Sequence, residues 1–173
     1  RADPAKDRFQ MSFSVQGKTA VVTGAANGVG LAVARHFVER GANVMFADMD
    51  EARLEEELGS ERTNDQATAA YFAGDLREKL TVANLLSATL DKFERVDILV
   101  NASRQMIAAD PLNADDDAVT ALLNQNLMTS LRLTQVFAKR MIKQAETTDN
   151  DEASVGSIIN LSSIAARRTQ PNL

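Results

Sequence analysis

From Lys18 onward, short apolar runs alternate with longer stretches in which apolar positions recur at helical spacing. Such runs fit strands covered by helices on both faces, and the alternation is that of βα units feeding a parallel sheet. Strands are expected at Thr19 to Thr23, Asn43 to Ala47, Ala69 to Ala73, Val96 to Asn101 and Ser157 to Leu161. Helices are expected from about Gly28 to Arg40, Glu51 to Leu58, Arg77 to Phe93 and Asp115 to Gln144. In the first helix the apolar stripe is Val29, Ala32, Val33 and Phe37; in the third it is Leu80, Ala83, Leu86 and Leu90. The last helix keeps its period through Val119, Leu122, Leu123, Leu127, Leu131 and Met141, with Asp115, Asp116 and Asp117 capping its start. Gly41 supplies a helix stop.

Composition narrows the function classes. The chain has 173 residues, 45% of them hydrophobic and 25% charged, which suits one ordinary globular domain. A formal charge of −5 disfavours nucleic acid and anionic lipid as partners. With no cysteine and one histidine, disulfides, thiolate chemistry and a His-rich metal centre are excluded, so no metal site is expected, and the composition fits a reducing cytoplasm. No stretch approaches the roughly 20 apolar residues of a membrane span. Arg1 to Gln10 carry mixed charge where a signal peptide would be apolar, and residues 1–14 are expected to form a flexible arm, vector-derived or natural, ahead of a domain at 15–173.

The chemistry is concentrated where the first strand meets the first helix, in Thr23-Gly24-Ala25-Ala26-Asn27-Gly28-Val29-Gly30. Gly24 permits a tight turn, Gly28 lets the backbone approach a pyrophosphate and Gly30 allows close helix packing, while the helix N-terminus offers free N–H groups. Gly24, Asn27, Gly28, Val29 and Gly30 are therefore candidate dinucleotide contacts; glycines serving only the turn are the alternative. The spacing and the missing Lys-Ser/Thr exclude a P-loop. Asp48, about twenty residues on, is placed to accept hydrogen bonds from an adenosine ribose and to repel a 2′-phosphate. Neither Asn27 nor Met49 is a cation that would neutralise such a phosphate, so NAD is favoured over NADP; an Asp48 that merely caps a helix is the alternative reading.

These residues resemble the short-chain dehydrogenase/reductase family. Thr23 to Gly30 matches its TGxxxGxG pattern, Asp75-Leu76 its Asp-Val or Asp-Leu pair, Asn126-Leu127 its Asn-Leu, and Gly156 to Ser163 its strand-five motif. The resemblance implies that Asp75 and Leu76 approach the adenine, that Asn126 supports a water-mediated proton relay, and that Ser163 orients the substrate oxygen. It implies a doubly wound Rossmann sheet of order 3-2-1-4-5, incomplete on its C-terminal side. Partners would be a small carbonyl or alcohol substrate and further copies of the chain.

Two departures stand out. The family has Asn-Asn-Ala-Gly after the fourth strand, where this chain has Asn101-Ala102-Ser103-Arg104. The resemblance carries over a strand-stabilising role for Asn101 and cofactor contacts for Asn101, Ala102 and Ser103, while three readings of Arg104 stay open: the backbone bends away, the guanidinium points outward, or it binds the pyrophosphate. The family's Tyr-x-x-x-Lys is also missing, because the one tyrosine, Tyr71, is followed four residues later by Asp75. The expectation is thus an NAD(H)-dependent oxidoreductase when complete, inactive as residues 1–173, and a remnant of a longer chain. A catalytically dead module that binds a dinucleotide or a partner is the competing class. A methyltransferase would also want the glycine turn and the acid, but leaves the serine motif unexplained.

Overall fold

Val21, Val22, Val44, Phe46, Leu99 and Val100 are almost completely excluded from solvent, and their runs form the middle of a five-stranded parallel sheet. The computed structural model describes residues 14–59, 67–108, 112, 117–147, 155–164 and 167–168. The strands are β1 (Thr19–Thr23), β2 (Asn43–Asp48), β3 (Ala69–Ala73), β4 (Ile98–Asn101) and β5 (Ser157–Asn160), in the order β3-β2-β1-β4-β5. The register sets Val21 beside Met45 and Leu99, Val44 beside Ala69, and Leu99 beside Ile158.

Alternation along each strand divides the core in two. Ala20, Val22, Val44, Phe46 and Val100 pack with Ala34 of α1 (Gly28–Glu39) and with Leu54 and Leu58 of α2 (Glu51–Leu58). Val21, Met45 and Leu99 pack with Val82 and Leu85 of α3 (Lys79–Phe93), and with Leu133, Phe137 and Met141 of α5 (Thr129–Glu146). This is the doubly wound arrangement expected from the sequence.

Several boundaries and faces differ from the sequence reading. The third helix starts at Lys79 because Arg77 N–H donates to the Asp75 carboxylate and Glu78 N–H to Asp75 O, which makes a turn of the residues expected to open it. β4 starts later than Val96, whose N–H and carbonyl are both taken by the side-chain amide of Gln144, at 3.0 and 2.8 Å. Val29 and Ala32 are exposed, and α1 buries Gly30 and Ala34 instead. α3 buries Val82, Leu85 and Thr89, leaving Leu80 and Ala83 outside.

The last helix is not continuous. α4 (Ala118–Leu122) passes into a π segment (Leu123–Met128) before α5. Hydroxyls satisfy carbonyls of the widened turn: Thr129 Oγ1 donates to Asn124 O and Ser130 Oγ to Asn126 O. Met141 is buried as expected, but Val119, Leu123, Leu127 and Leu131 form an exposed stripe, and the sheet is met by Thr129, Leu133 and Phe137. Asp117 makes no side-chain cap, and Asp115, Asp116 and the arm at 1–13 lie outside the described residues. Among the described residues no helix is long and apolar enough to cross a membrane, and no group of three acidic or histidine side chains is set to hold a metal.

Candidate active site

Parallel strands deliver their C-terminal ends to one edge of the sheet, and the singled-out residues follow those ends: Gly24 after β1, Asp48 closing β2, Asp75 after β3, Asn101 closing β4 and Ser163 after β5. The turn at β1 is shaped by what its glycines lack. Gly24 has φ +68°, and a Cβ there would lie 2.8 Å from both Cα and N of Ser103. A Cβ on Gly30 would collide with the carbonyl oxygen of Gly24, so Gly30 packs the helix against the turn itself more than against the sheet. At Gly28 a Cβ would meet nothing, which leaves open space over the start of α1. The Asn27 side chain does not cap that helix, so its first N–H groups face this space. A cradle with an open floor and uncapped N–H groups fits a pyrophosphate.

Asp48 is fastened to the same turn. Its Oδ2 accepts from Ala26 N–H at 3.1 Å, while Oδ1 accepts from Met49 N–H at 2.7 Å and Asp50 N–H at 3.1 Å. The residue that caps α2 is Asp50, which accepts from Arg53 N–H, so capping does not account for Asp48. Met49 is exposed beside it.

On the β3 side, Arg77 grips Asp75 through Nε and Nη2, at 2.6 Å for the shortest contact. These hydrogen bonds hold the Asp75 carboxyl below its ordinary range, against partial burial, which pushes the other way. A depressed native pKa means that the stabilisation is present above the unfolded-state value and is lost as pH falls through the native one. With side chains 44% and 33% exposed, the pair is screened by solvent and contributes only a small increment to stability. Arg77→Met is expected to remove that increment from the acid limb of the stability–pH curve; an unchanged acid limb in urea titrations contradicts the assignment. Leu76, expected at the adenine, is buried in the core, so only its backbone can face a ligand.

The β4 side centres on a residue that the sequence reading left without a role. Thr23 Oγ1 accepts from Ala102 N–H at 3.1 Å and from Ser103 N–H at 3.2 Å, tying β1 to the loop after β4. Asn101, 4% exposed, donates to Asn160 Oδ1 at 2.8 Å and to Thr134 Oγ1, joining β4, β5 and α5. Its Oδ1 is buried and has no partner among the described residues. Arg104 is exposed, with its guanidinium against the Met106 sulfur. Asn126 holds Gln105 through its side-chain amide, and Ser163 is exposed beyond β5. Tyr71 sits on β3 with its hydroxyl on Glu55, at the far edge of the sheet from β5.

The family model described as short chain dehydrogenase matches residues 18–173. The chain belongs to that family. Among short-chain dehydrogenase relatives, it is 32% identical over 151 residues to an uncharacterized oxidoreductase of Staphylococcus saprophyticus, covering 87% of this chain and 61% of that protein. It is 32% identical to a D-threitol dehydrogenase of Mycolicibacterium smegmatis, over 89% of this chain and 55% of that one. An L-fucose dehydrogenase of Mus musculus is 33% identical, over 86% and 49%. A 3-ketoacyl-(acyl-carrier-protein) reductase of Brucella melitensis, solved in complex with NADH, matches with a TM-score of 0.78 at 27% identity, over 92% of this chain and 63% of that one. The chain thus spans about half to three-fifths of the length of these relatives.

Proposed function

We propose that these residues form the dinucleotide-binding part of an NAD(H)-dependent oxidoreductase acting on a carbonyl or secondary alcohol. The observation that carries this reading is the hydrogen bond from Ala26 N–H to Asp48, which sets a carboxylate acceptor beside an open, uncapped helix start. Gly24, Asn27, Gly28, Val29 and Gly30 would hold the pyrophosphate, Asp48 and Met49 would border the adenosine ribose, and Asp75 with the Leu76 backbone would border the adenine. Asn101, Ala102 and Ser103 would wall the nicotinamide side. Bound there, the dinucleotide supplies a hydride donor or acceptor at its nicotinamide ring. Ser163 would hydrogen-bond the substrate oxygen, and Asn126 would support proton transfer.

An alcohol losing hydride near neutral pH needs a positioned base, and residues 1–173 contain no Tyr-x-x-x-Lys to provide one. Binding without turnover is the expected behaviour of these residues alone. The cytoplasm is the compartment that a cysteine-free chain suits, and the exposed stripe Val119, Leu123, Leu127 and Leu131 would be covered by another copy of the chain.

Cofactor choice gives the test. Asp48 repels a 2′-phosphate, so NADH is expected to bind at least about tenfold more tightly than NADPH, a difference of about 1.4 kcal/mol. Asp48→Ala is expected to narrow that ratio in fluorescence titrations. Equal affinity for the two dinucleotides in the wild-type chain overturns the NAD assignment, and no binding of either overturns the function.

A further inference from the structure

Adjacent residues of the π segment, Gln125 and Asn126, both reach the loop that follows β4. Gln125 Nε2 donates to Ser103 Oγ at 3.0 Å; Asn126 Nδ2 donates to Gln105 O at 2.9 Å and its Oδ1 accepts from Gln105 N–H at 2.8 Å. In an α-helix neighbouring side chains diverge by about 100°, since there are about 3.6 residues per turn. The wider i→i+5 turn reduces that angle, and so lets two consecutive amides serve one loop.

Ser103 is fixed to the turn by its backbone: its N–H is held by Thr23 Oγ1, and its backbone fills the space that a Gly24 side chain would need. Gln125 touches only the Ser103 hydroxyl, so it orients that side chain while the backbone bonds hold the glycine turn without it. Ser103 stands where the family pattern has alanine, which offers no hydroxyl to an amide, so this link belongs to the departures of this chain. In the strand order, β4 lies on one side of β1 and β2, with Asp48, on the other. A dinucleotide whose pyrophosphate sits on the turn and whose adenosine ribose meets Asp48 must send its nicotinamide riboside toward Ser103.

We propose that Gln125 is a positioning residue for the nicotinamide half of the dinucleotide, acting through Ser103. The proposal rests on the function proposed above. Gln125→Met keeps the length of the side chain and removes its donor. The probes are NADH and ADP, which carries the adenosine and the pyrophosphate but no nicotinamide riboside. Gln125→Met is expected to weaken NADH binding roughly two- to tenfold, the range for one lost hydrogen bond, and to leave ADP binding where it was. Ser103→Ala is expected to give the same loss, and the double variant no more than either single one.

A structural lesion would weaken ADP and NADH together, so a parallel fall overturns the proposal, as do unchanged NADH binding in both single variants or losses that add. Should Gln125→Met fail to fold, Ser103→Ala carries the same comparison. A wild-type chain that binds neither probe removes the proposed function and this inference with it. A wild-type chain that binds both, with variants that behave like it, removes only the inference.

Discussion

Gly30→Ala is expected to eliminate detectable NADH binding and to destabilise the fold by about 1–3 kcal/mol, the usual cost of forcing atoms into a filled space. The added Cβ would collide with the Gly24 carbonyl and lie 3.0 Å from the Thr23 carbonyl oxygen, and both are backbone atoms that no rotamer change can move. Relief requires the first turn of α1 to lift away from the end of β1. That lift displaces the N–H groups facing the open space at Gly28, and with them the anion site. Val29→Ala is the matched control: Val29 is 61% exposed, and its truncation is expected to change urea stability by less than about 0.5 kcal/mol. Wild-type NADH affinity in Gly30→Ala would show that the turn does not hold the dinucleotide.

The largest loss of stability is expected from Phe137→Ala, about 3–5 kcal/mol. Phe137 is fully buried among Val21, Leu99, Val82 and Leu85, where α5 meets the sheet and α3. Against a typical total of about 5–15 kcal/mol, such a loss is a large fraction of what keeps a domain folded. Leu131, on the same helix but 43% exposed, is expected to tolerate alanine with little change in the monomer. Equal losses at the two positions in equilibrium urea unfolding would place the wrong face of α5 against the sheet.

The strands were legible because a strand buried on both faces must be apolar at every position, as Thr19–Thr23 and Ile98–Asn101 nearly are. The glycine turn was legible because its constraints are local, set by residues within one turn of chain. Helix faces were not. Two apolar stripes run along Val119 to Met141, and hydropathy does not say which one meets the sheet, all the more because the inward stripe includes Thr129, a polar residue buried with its hydroxyl on Asn124 O. The π segment escaped for the same reason, since its hydroxyl-to-carbonyl bonds leave no trace in periodicity. Gln144 closes on Val96 across 48 residues, and no local pattern announces a side-chain amide standing in for a strand neighbour. Thr23 was read as part of a motif, and its hydroxyl became a hub only once β4 was seen to end beside β1.

The central claim is that the turn after β1, with Asp48 fastened to it, holds a nicotinamide dinucleotide. An amide-resolved NMR titration of the chain with NADH tests it most directly. The expected result is saturable shifts at Asn27, Gly28, Val29 and Gly30, with Met49 and Ser103 following on either side and the β3 residues near Tyr71 unmoved. Shifts absent from the turn at saturating NADH, or confined to the outer edge of β3, would contradict it.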